Sequence, residues 1–499
     1  MASHAHDIGR CSMSRTRIAT TSEFVSAVLA SPELYEIAAG ETRNPGVGRP
    51  RELAPWSVLL LGVLARHFRS AARAEAELRS DLLWRHVQAQ ADRARDAGFD
   101  VPDAPRPPTW TAWRRARDHA WATDEGLARI ARIHLEHATA LARSLELGVP
   151  EAGGSWSHPS RSRAVYGDGT LVRPLYIPPP AIRTVADDGT VTVAYPDPVT
   201  GELRDTPGRR YDPDCAEHHG HTGPVHGINY VAWHMRGPRP YQRVILHVTA
   251  VPGPGQEADT AVRSLAEIRA ALGDGVQVVV YDGALRGVHI EAIMRRYGYV
   301  VLCKPPTETS STATPSLLRL PGGRAARSTV LGTWEHAPGG RRCLHHVAAV
   351  DGAPCEIALD ETGDPALVAQ LARRQVKRPR GKDGRYRFSA AYEIPCTQGP
   401  FWVWLSPHAE RGDADAHRAE TFRIITAGDP DGARLYGIRS DAESHHSQFK
   451  QTLRNSRAMS LGAARGLLDQ YAYALGHNAV IATRNTTAAT TGGLRVVPG

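Results

Sequence analysis

The sequence predicts an α/β protein whose mixed-sheet core is interrupted by a β-rich insertion and preceded by an all-helical N-terminal domain. Three observations predict it. Residues 22–147 carry apolar residues at helical spacing, such as Leu59, Val63, Leu78 and Leu82, with few strand signals. Residues 164–303 run through apolar strands and amphipathic helices in the order βββαβαβ. Residues 305–420 are turn-rich and strand-like, and helical character returns from Ser440 to about Thr483.

In chain order, residues 1–150 form the helical domain. GRPREL (Gly48–Leu53) precedes a helix starting near Pro55, and Pro107, Pro108 and Thr109 precede a basic segment, Trp113–Arg117. Each is a candidate DNA-contacting helix, and a bundle with arginines on a solvated face is the plainer alternative. The stretch 149–163, rich in Gly, Ser, Pro and Arg without apolar period, reads as a linker. Strands follow at 164–176, 226–235 and 241–251, fitting an antiparallel meander. A helix with Ala261, Leu265, Ile268 and Leu272 on one face leads to the apolar strand Val276–Asp282, a helix over 288–297 and the strand Tyr299–Cys303. The first part of the core is thus 164–304. The β-rich insertion spans 305–420, with strand-like pieces at 327–336, 343–350 and 399–405. Residues 421–484 supply the final strand and helices of the core, and 485–499 a flexible tail.

Length and composition limit the function classes. At 499 residues the chain is about three times the common domain size, and 41% hydrophobic with 22% charged residues is globular, which excludes end-to-end disorder. Sixty basic against 52 acidic residues leave a formal charge of +8, which permits a polyanionic partner without demanding one. Lys304, Lys377, Lys382 and Lys450 are the lysines, so the rest of the basic set is arginine. A GC-rich coding sequence explains that bias, and guanidinium forks for phosphate are compatible with it. The six cysteines form no CxxC pair, the N-terminus lacks an apolar signal region, and the longest aliphatic run, Val58–Ala65, is too short to cross a bilayer. The expectation is a cytoplasmic, nucleoid-associated protein with reduced thiols and no membrane partner.

Three acids carry the chemistry. Asp168 lies within the first strand, and Asp282 closes the most apolar strand, where a charge is costly unless paired or metal-bound. Functional residues of α/β sheets gather at the carboxyl ends of parallel strands, where Asp282 stands. Taken singly, each is equally a turn aspartate, since GDGT and YDGA are good turn strings. The third element is YGIRSDAESHHSQFK, in which Tyr436, Arg439, Glu443 and Lys450 stand at spacings of three, four and seven. If the segment is helical throughout, these offsets line one polar stripe that brings a carboxylate, two cations and a phenol together. A Ser440–Glu443 capping box and an ordinary Arg439–Glu443 pair are the competing structural readings.

Those four residues match the Y-x2-R-x3-E-x6-K signature, and with the strand aspartates before them the chain resembles a bacterial insertion-sequence transposase of the DDE type. The likeness covers residues 164–484. It implies an RNase H-like catalytic core, with the β-rich insertion before its final helix. It further implies two Mg2+ or Mn2+ ions per active site, with Asp168 bridging both, Asp282 holding one and Glu443 the other. Arg439 and Lys450 would grip backbone phosphates and Tyr436 would position the strand end. The implied activity is binding of terminal inverted repeats, metal-dependent cleavage of the element ends and joining of the 3′-hydroxyls to target DNA. The partners are then double-stranded DNA, both element ends and target, and further copies of the chain in a homodimer or higher multimer. The alternatives are a catalytically silent DNA-binding protein of the same fold and a structure-selective nuclease.

The chemistry explains the residue types. In-line attack on a phosphodiester needs an oxygen nucleophile and a stabilised leaving oxygen, and paired divalent ions serve both. Carboxylates are hard oxygen ligands that leave positions open for water and phosphate. Weaker candidates remain. Cys215, His218, His219, His221 and His226 crowd one loop with zinc-like residue types but match no standard finger spacing. The stretch Arg373–Arg387 is either a solvated loop or a DNA clamp. Trp334 is either a core residue or a stacking platform for a base. The Pro-rich excursion 177–225 has no assignable role.

Overall fold

A computed structural model describes residues 19–41, 53–176, 181–197, 199–205, 212–220, 223–239, 242–305, 316–320, 325–359, 365–408, 418–426 and 428–490. Helices open the chain: α1 (Thr21–Leu29), α2 (Pro32–Ala39), α3 (Pro55–His67), α4 (Ala71–Leu78), α5 (Asp81–Asp96), α6 (Trp110–Ala116) and α7 (Asp124–Ser144). Their starts are encoded locally. Thr20 and Glu23 form a reciprocal capping box on α1, Ser70, Ser80, Thr109 and Thr123 each accept a first-turn N–H, and Pro32 and Pro55 occupy first-turn positions that need no donor.

Helix α3 differs from expectation. Every residue from Trp56 to Arg66 is buried, so the Pro55 helix is the central rod of the helical layer and not a DNA-facing surface. Its apolar residues run all round, as a helix packed on several sides requires. Gly62 lets the Trp113 indole close on it, since a Cβ there would lie 2.3 Å from the ring. GRPREL falls almost wholly within 42–52, outside the described residues. On α6, Trp113 is buried while Arg114 and Arg115 are exposed.

The sheet follows. Its strands are β1 (Ala164–Pro174), β5 (Ala216–Gly220), β6 (Gly223–Arg236), β7 (Arg243–Ala250), β8 (Val278–Val280) and β9 (Val300–Leu302). A small separate sheet, β2 (Ile182–Val185), β3 (Val191–Pro196) and β4 (Leu203–Arg204), is inserted after β1. The central order is β7-β6-β1-β8-β9: antiparallel from β7 to β1, parallel from β1 to β9. Helix α8 (Glu257–Leu272) crosses from β7 to β8 and α9 (Gly287–Ala292) from β8 to β9. This is a mixed sheet in an α/β order, as the sequence predicts.

Between β9 and the final helices lies β structure. Strands β10 (Ser316–Arg319), β11 (Ala325–His336), β12 (Cys343–Val350), β13 (Ala353–Leu359) and β14 (Pro365–Gln370) close into a barrel. Strands β15 (Ala372–Lys377), β16 (Ser389–Ile394) and β17 (Phe401–Leu405) form an antiparallel sheet beside it. The chain returns through α10 (Pro430–Tyr436), α11 (Ser440–Gln451), the short β18 (Arg457–Ala458) paired with β1, and α12 (Ala463–Thr490), which continues into the stretch read as a tail.

Helix α12 joins the layers. It packs on α1, α3 and α7 on one side and on β7 on the other, so the helical region and one sheet face share a continuous apolar core. It also covers the free edge of β7. Asn478 accepts from the Ile245 N–H (3.0 Å) and donates to the Ile245 carbonyl (2.9 Å), and Tyr471 Oη donates to the Val248 carbonyl (2.7 Å). An uncovered edge would leave these groups as a template for foreign strands. Among the described residues no helix is long and apolar enough to cross a membrane.

Candidate functional site

Strand β1 runs 11 residues, but β8 pairs only with its first three, ending at Tyr166↔Val280. Asp168 and Asp282 each stand two residues beyond the last pair of that parallel register. Both aspartates therefore stand where the sheet splays, outside the carboxyl end of a parallel strand, the usual crevice of α/β sheets. Asp168 is within the strand, paired across from Ala232 on β6, and not in a turn. Asp282 does hold a turn: its Oδ1 accepts from the Ala284 N–H at 2.9 Å.

Alternation along β1 assigns the faces. Gly167 and Gly169 point toward α8, where a Cβ would lie 2.3 Å from the Trp233 ring and 2.3 Å from the Glu257 carboxyl, respectively. Asp168 points the opposite way, toward α11. His446 on α11 donates from Nε2 to the Asp168 carbonyl (3.3 Å), holding helix and strand together. Burial, with Lys450 nearby, pushes His446 down to about 3, so it is a neutral donor at ordinary pH.

Tyr436, Arg439, Glu443 and Lys450 are not on one continuous helix. Tyr436 ends α10, Arg439 caps α11, and a tight right-handed turn through Gly437 connects them. The Ser440–Glu443 capping box does not form, because Ser440 lies inside the helix and its hydroxyl donates to the Gly437 carbonyl. The Arg439–Glu443 pair does form, at 2.8 Å, and the same guanidinium reaches Asp168 Oδ1 at 3.7 Å. Arg439 thus bridges two of the three acids. It also lies over the Tyr436 ring, as does Lys304.

The electrostatics mark Asp168. Burial first, then the Asp282 charge, push its carboxyl up to about 7, while Arg439 pulls the other way and Glu257 and Glu443 add to the rise. Lys450 is pushed below the ordinary lysine range by burial and by Arg173, with Asp168 opposing. An excess of negative charge, with few cations among it, therefore surrounds Asp168. The acids do not meet at one point. Glu443 is 56% exposed and turned to Arg439, and among the described residues only His336, His345 and Cys396 bring three ligating atoms within 4.8 Å of one another.

Sequence reasoning missed Glu257. It opens α8 beneath Gly169, accepts from Asn229 Nδ2 (2.6 Å) and Tyr281 Oη (3.1 Å), and is held above the ordinary carboxyl range by burial. A lone acid at a helix start gives no signal until the strand beside it is known. Asp441, the nearest alternative third acid, is committed to Arg236 at 2.8 Å.

The weaker candidates resolve differently. Among the described residues Cys215, His218 and His226 do not gather as metal ligands, and His221 lies outside them. The Cys215 thiol is pushed up to about 12 by burial and by Asp212 and Asp214, contrary to what a zinc thiolate needs. Those two aspartates instead accept from the first N–H groups of α12. In the basic stretch, Arg373 is buried against Asp429 and Asp431, Arg374 pairs with Glu393, and Arg378 pairs with Asp274 and stacks on Trp156. Lys382, Arg385 and Arg387 remain exposed. Trp334 is half-buried on the barrel wall.

No protein-family model and no curated protein matches the chain.

Proposed function

We propose that the chain is a metal-dependent DNA cleavage and strand-transfer enzyme, a transposase of the DDE type. One observation carries the reading: Asp168 on β1 and Asp282 just past β8 lie close enough for the Asp282 charge to raise the Asp168 carboxyl, and Arg439 at the start of α11 reaches both Asp168 (3.7 Å) and Glu443 (2.8 Å). The strand order β7-β6-β1-β8-β9, with its antiparallel and parallel halves, supports an RNase H-like core. No alternative acid on α11 is available in place of Glu443.

The donor set fits a pair of hard divalent ions. The three side chains offer oxygen alone, and Asp168 needs more positive charge than Arg439 supplies to stay ionised at neutral pH. Asp168, Asp282 and Glu443 would hold the ions. When bound, Mg2+ or Mn2+ stabilises the attacking and leaving oxygens of phosphodiester cleavage. Glu443, exposed and able to rotate, turns from Arg439 toward Asp168. That frees the Arg439 fork for a backbone phosphate, joined by Lys450 at the other end of α11. Tyr436, between Lys304 and Arg439, packs against the strand end.

The reading requires two DNA ends processed together and hence more than one copy of the chain. The test is incubation of the full chain with duplexes carrying the inverted repeats that flank its gene, plus a target plasmid and Mg2+. End-specific nicks followed by joined products support the reading. Nicks that track DNA structure without joining would replace it with a nuclease, and end binding without any cleavage would replace it with a silent DNA-binding protein.

A further inference from the structure

The insertion holds a second constellation that the acid site does not use. His336 ends β11, and its cross-strand partner on β12 is Cys343. His345 is two residues further along β12, on the same face as Cys343. Cys396 comes from the turn between β16 and β17, more than fifty residues away in the chain. The ligating atoms of His336, His345 and Cys396 lie within 4.8 Å of one another.

Two ring nitrogens in this cluster are orphaned. His336 Nδ1 and His345 Nε2 are buried and make no hydrogen bond. Buried polar atoms left unpaired destabilise the fold, so two of them gathered with one thiol call for an occupant. The other nitrogen of His345 is fixed: Nδ1 faces Glu356 Oε1 on β13 at 2.5 Å. A carboxylate on the far ring nitrogen is the arrangement that orients a metal-binding imidazole and presents Nε2 as the ligand. The Phe401 ring stacks on His336 at 4.2 Å and lies against His345 at 5.2 Å, giving the cluster an apolar wall.

We propose that His336, His345, Cys396 and Cys343 form a structural zinc site. Two imidazoles and two thiols are a standard closed set for zinc, and soft sulfur with nitrogen disfavours Mg2+ or Ca2+. Tetrahedral zinc, with bonds of roughly 2.0–2.3 Å, keeps its ligand atoms about 3.3–3.8 Å apart, so the three gathered atoms need only a small contraction. Cys343, which contacts Cys396 but lies outside the gathered three, would supply the fourth ligand by closing on them. The ion would pin β11 and β12 of the barrel to the β16–β17 turn of the neighbouring sheet. The proposal is independent of the acid site.

The test uses the full chain purified under reducing conditions without added metal. Elemental analysis should find about one zinc per chain. Replacing it with Co2+ should give the visible bands of a tetrahedral site and a thiolate-to-cobalt charge-transfer band. Cys396→Ser and His345→Asn should abolish both signals, Glu356→Gln should weaken zinc affinity about 10- to 100-fold, and Cys215→Ser should change neither. Because a ligand variant may lose its fold with its metal, the wild-type Co2+ spectrum stands as the independent readout. Reduced wild-type protein that takes up neither zinc nor cobalt with thiolate character would overturn the proposal. So would a folded Cys396→Ser protein that keeps its full zinc.

Discussion

Asp168→Asn should make the protein more stable at neutral and alkaline pH. The Asp168 carboxyl rises from an ordinary 3.8 to about 7 on folding. The folded state therefore holds this proton more tightly than the unfolded chain does. The contribution is fully present below about pH 4, where the group is protonated in both states, and is lost as pH rises through about 7. Each tenfold difference in proton affinity is 1.36 kcal/mol, so the ionised group costs the fold on the order of 4 kcal/mol above pH 7, as a ceiling. Asparagine keeps the shape and has no charge to pay for. Denaturant unfolding of both proteins from pH 5 to pH 8.5 measures the difference. The advantage of Asp168→Asn should grow from pH 5 to about pH 7, reach a few kcal/mol and level off above it. Saturating Mg2+ should then narrow the gap by stabilising the wild type alone, by about 2.7 kcal/mol at a hundredfold excess over Kd. A difference that stays flat with pH would refute the reasoning, because it would mean that Asp168 is not held protonated by burial and Asp282.

Three further outcomes follow from the geometry. Arg439→Ala removes a part-buried guanidinium paired with the exposed Glu443 and reaching Asp168, and should cost about 1 kcal/mol while end cleavage is lost; a variant that unfolds would make the pair structural. Asn478→Ala strips the partner from the Ile245 N–H on β7 and leaves its carbonyl to His134 Nε2 alone, and should cost about 1–3 kcal/mol in denaturant unfolding. Gly167→Ala sets a methyl 2.3 Å from the Trp233 ring of β6 and should cost about 1–3 kcal/mol, and a neutral result would mean that this ring is free to shift.

Much of the core was legible because its signals are local. The alternating and apolar runs at 164–176, 226–235 and 241–251 became β1, β6 and β7, and the helix marked by Ala261, Leu265, Ile268 and Leu272 became α8. Asp168 and Asp282 were legible for a related reason, since a charge inside or at the end of an apolar strand is conspicuous. What was not legible depends on tertiary placement. Val58–Ala65 shows its apolar character in sequence, but only the packing of α1, α2, α4, α6 and α12 around it makes α3 a core rod. The stripe from Tyr436 to Lys450 assumed one helix, and the turn at Gly437 divides it without separating Arg439 from the acids. His336, Cys343, His345 and Cys396 escaped notice because metal ligands are sought at short spacings, and here a β16–β17 turn supplies the last one. The crowded loop around Cys215 had the right residue types and served another purpose, capping α12.

The most direct test of the account is single-turnover cleavage of duplexes carrying the flanking inverted repeats, comparing wild type with Asp282→Asn and Glu443→Gln in Mg2+. The account predicts nicking at the element ends by the wild type and loss of nicking by at least a thousandfold in each variant, or about 4 kcal/mol in the barrier, with end binding retained. Equal cleavage by wild type and either variant would contradict it, and would remove that acid from the reaction.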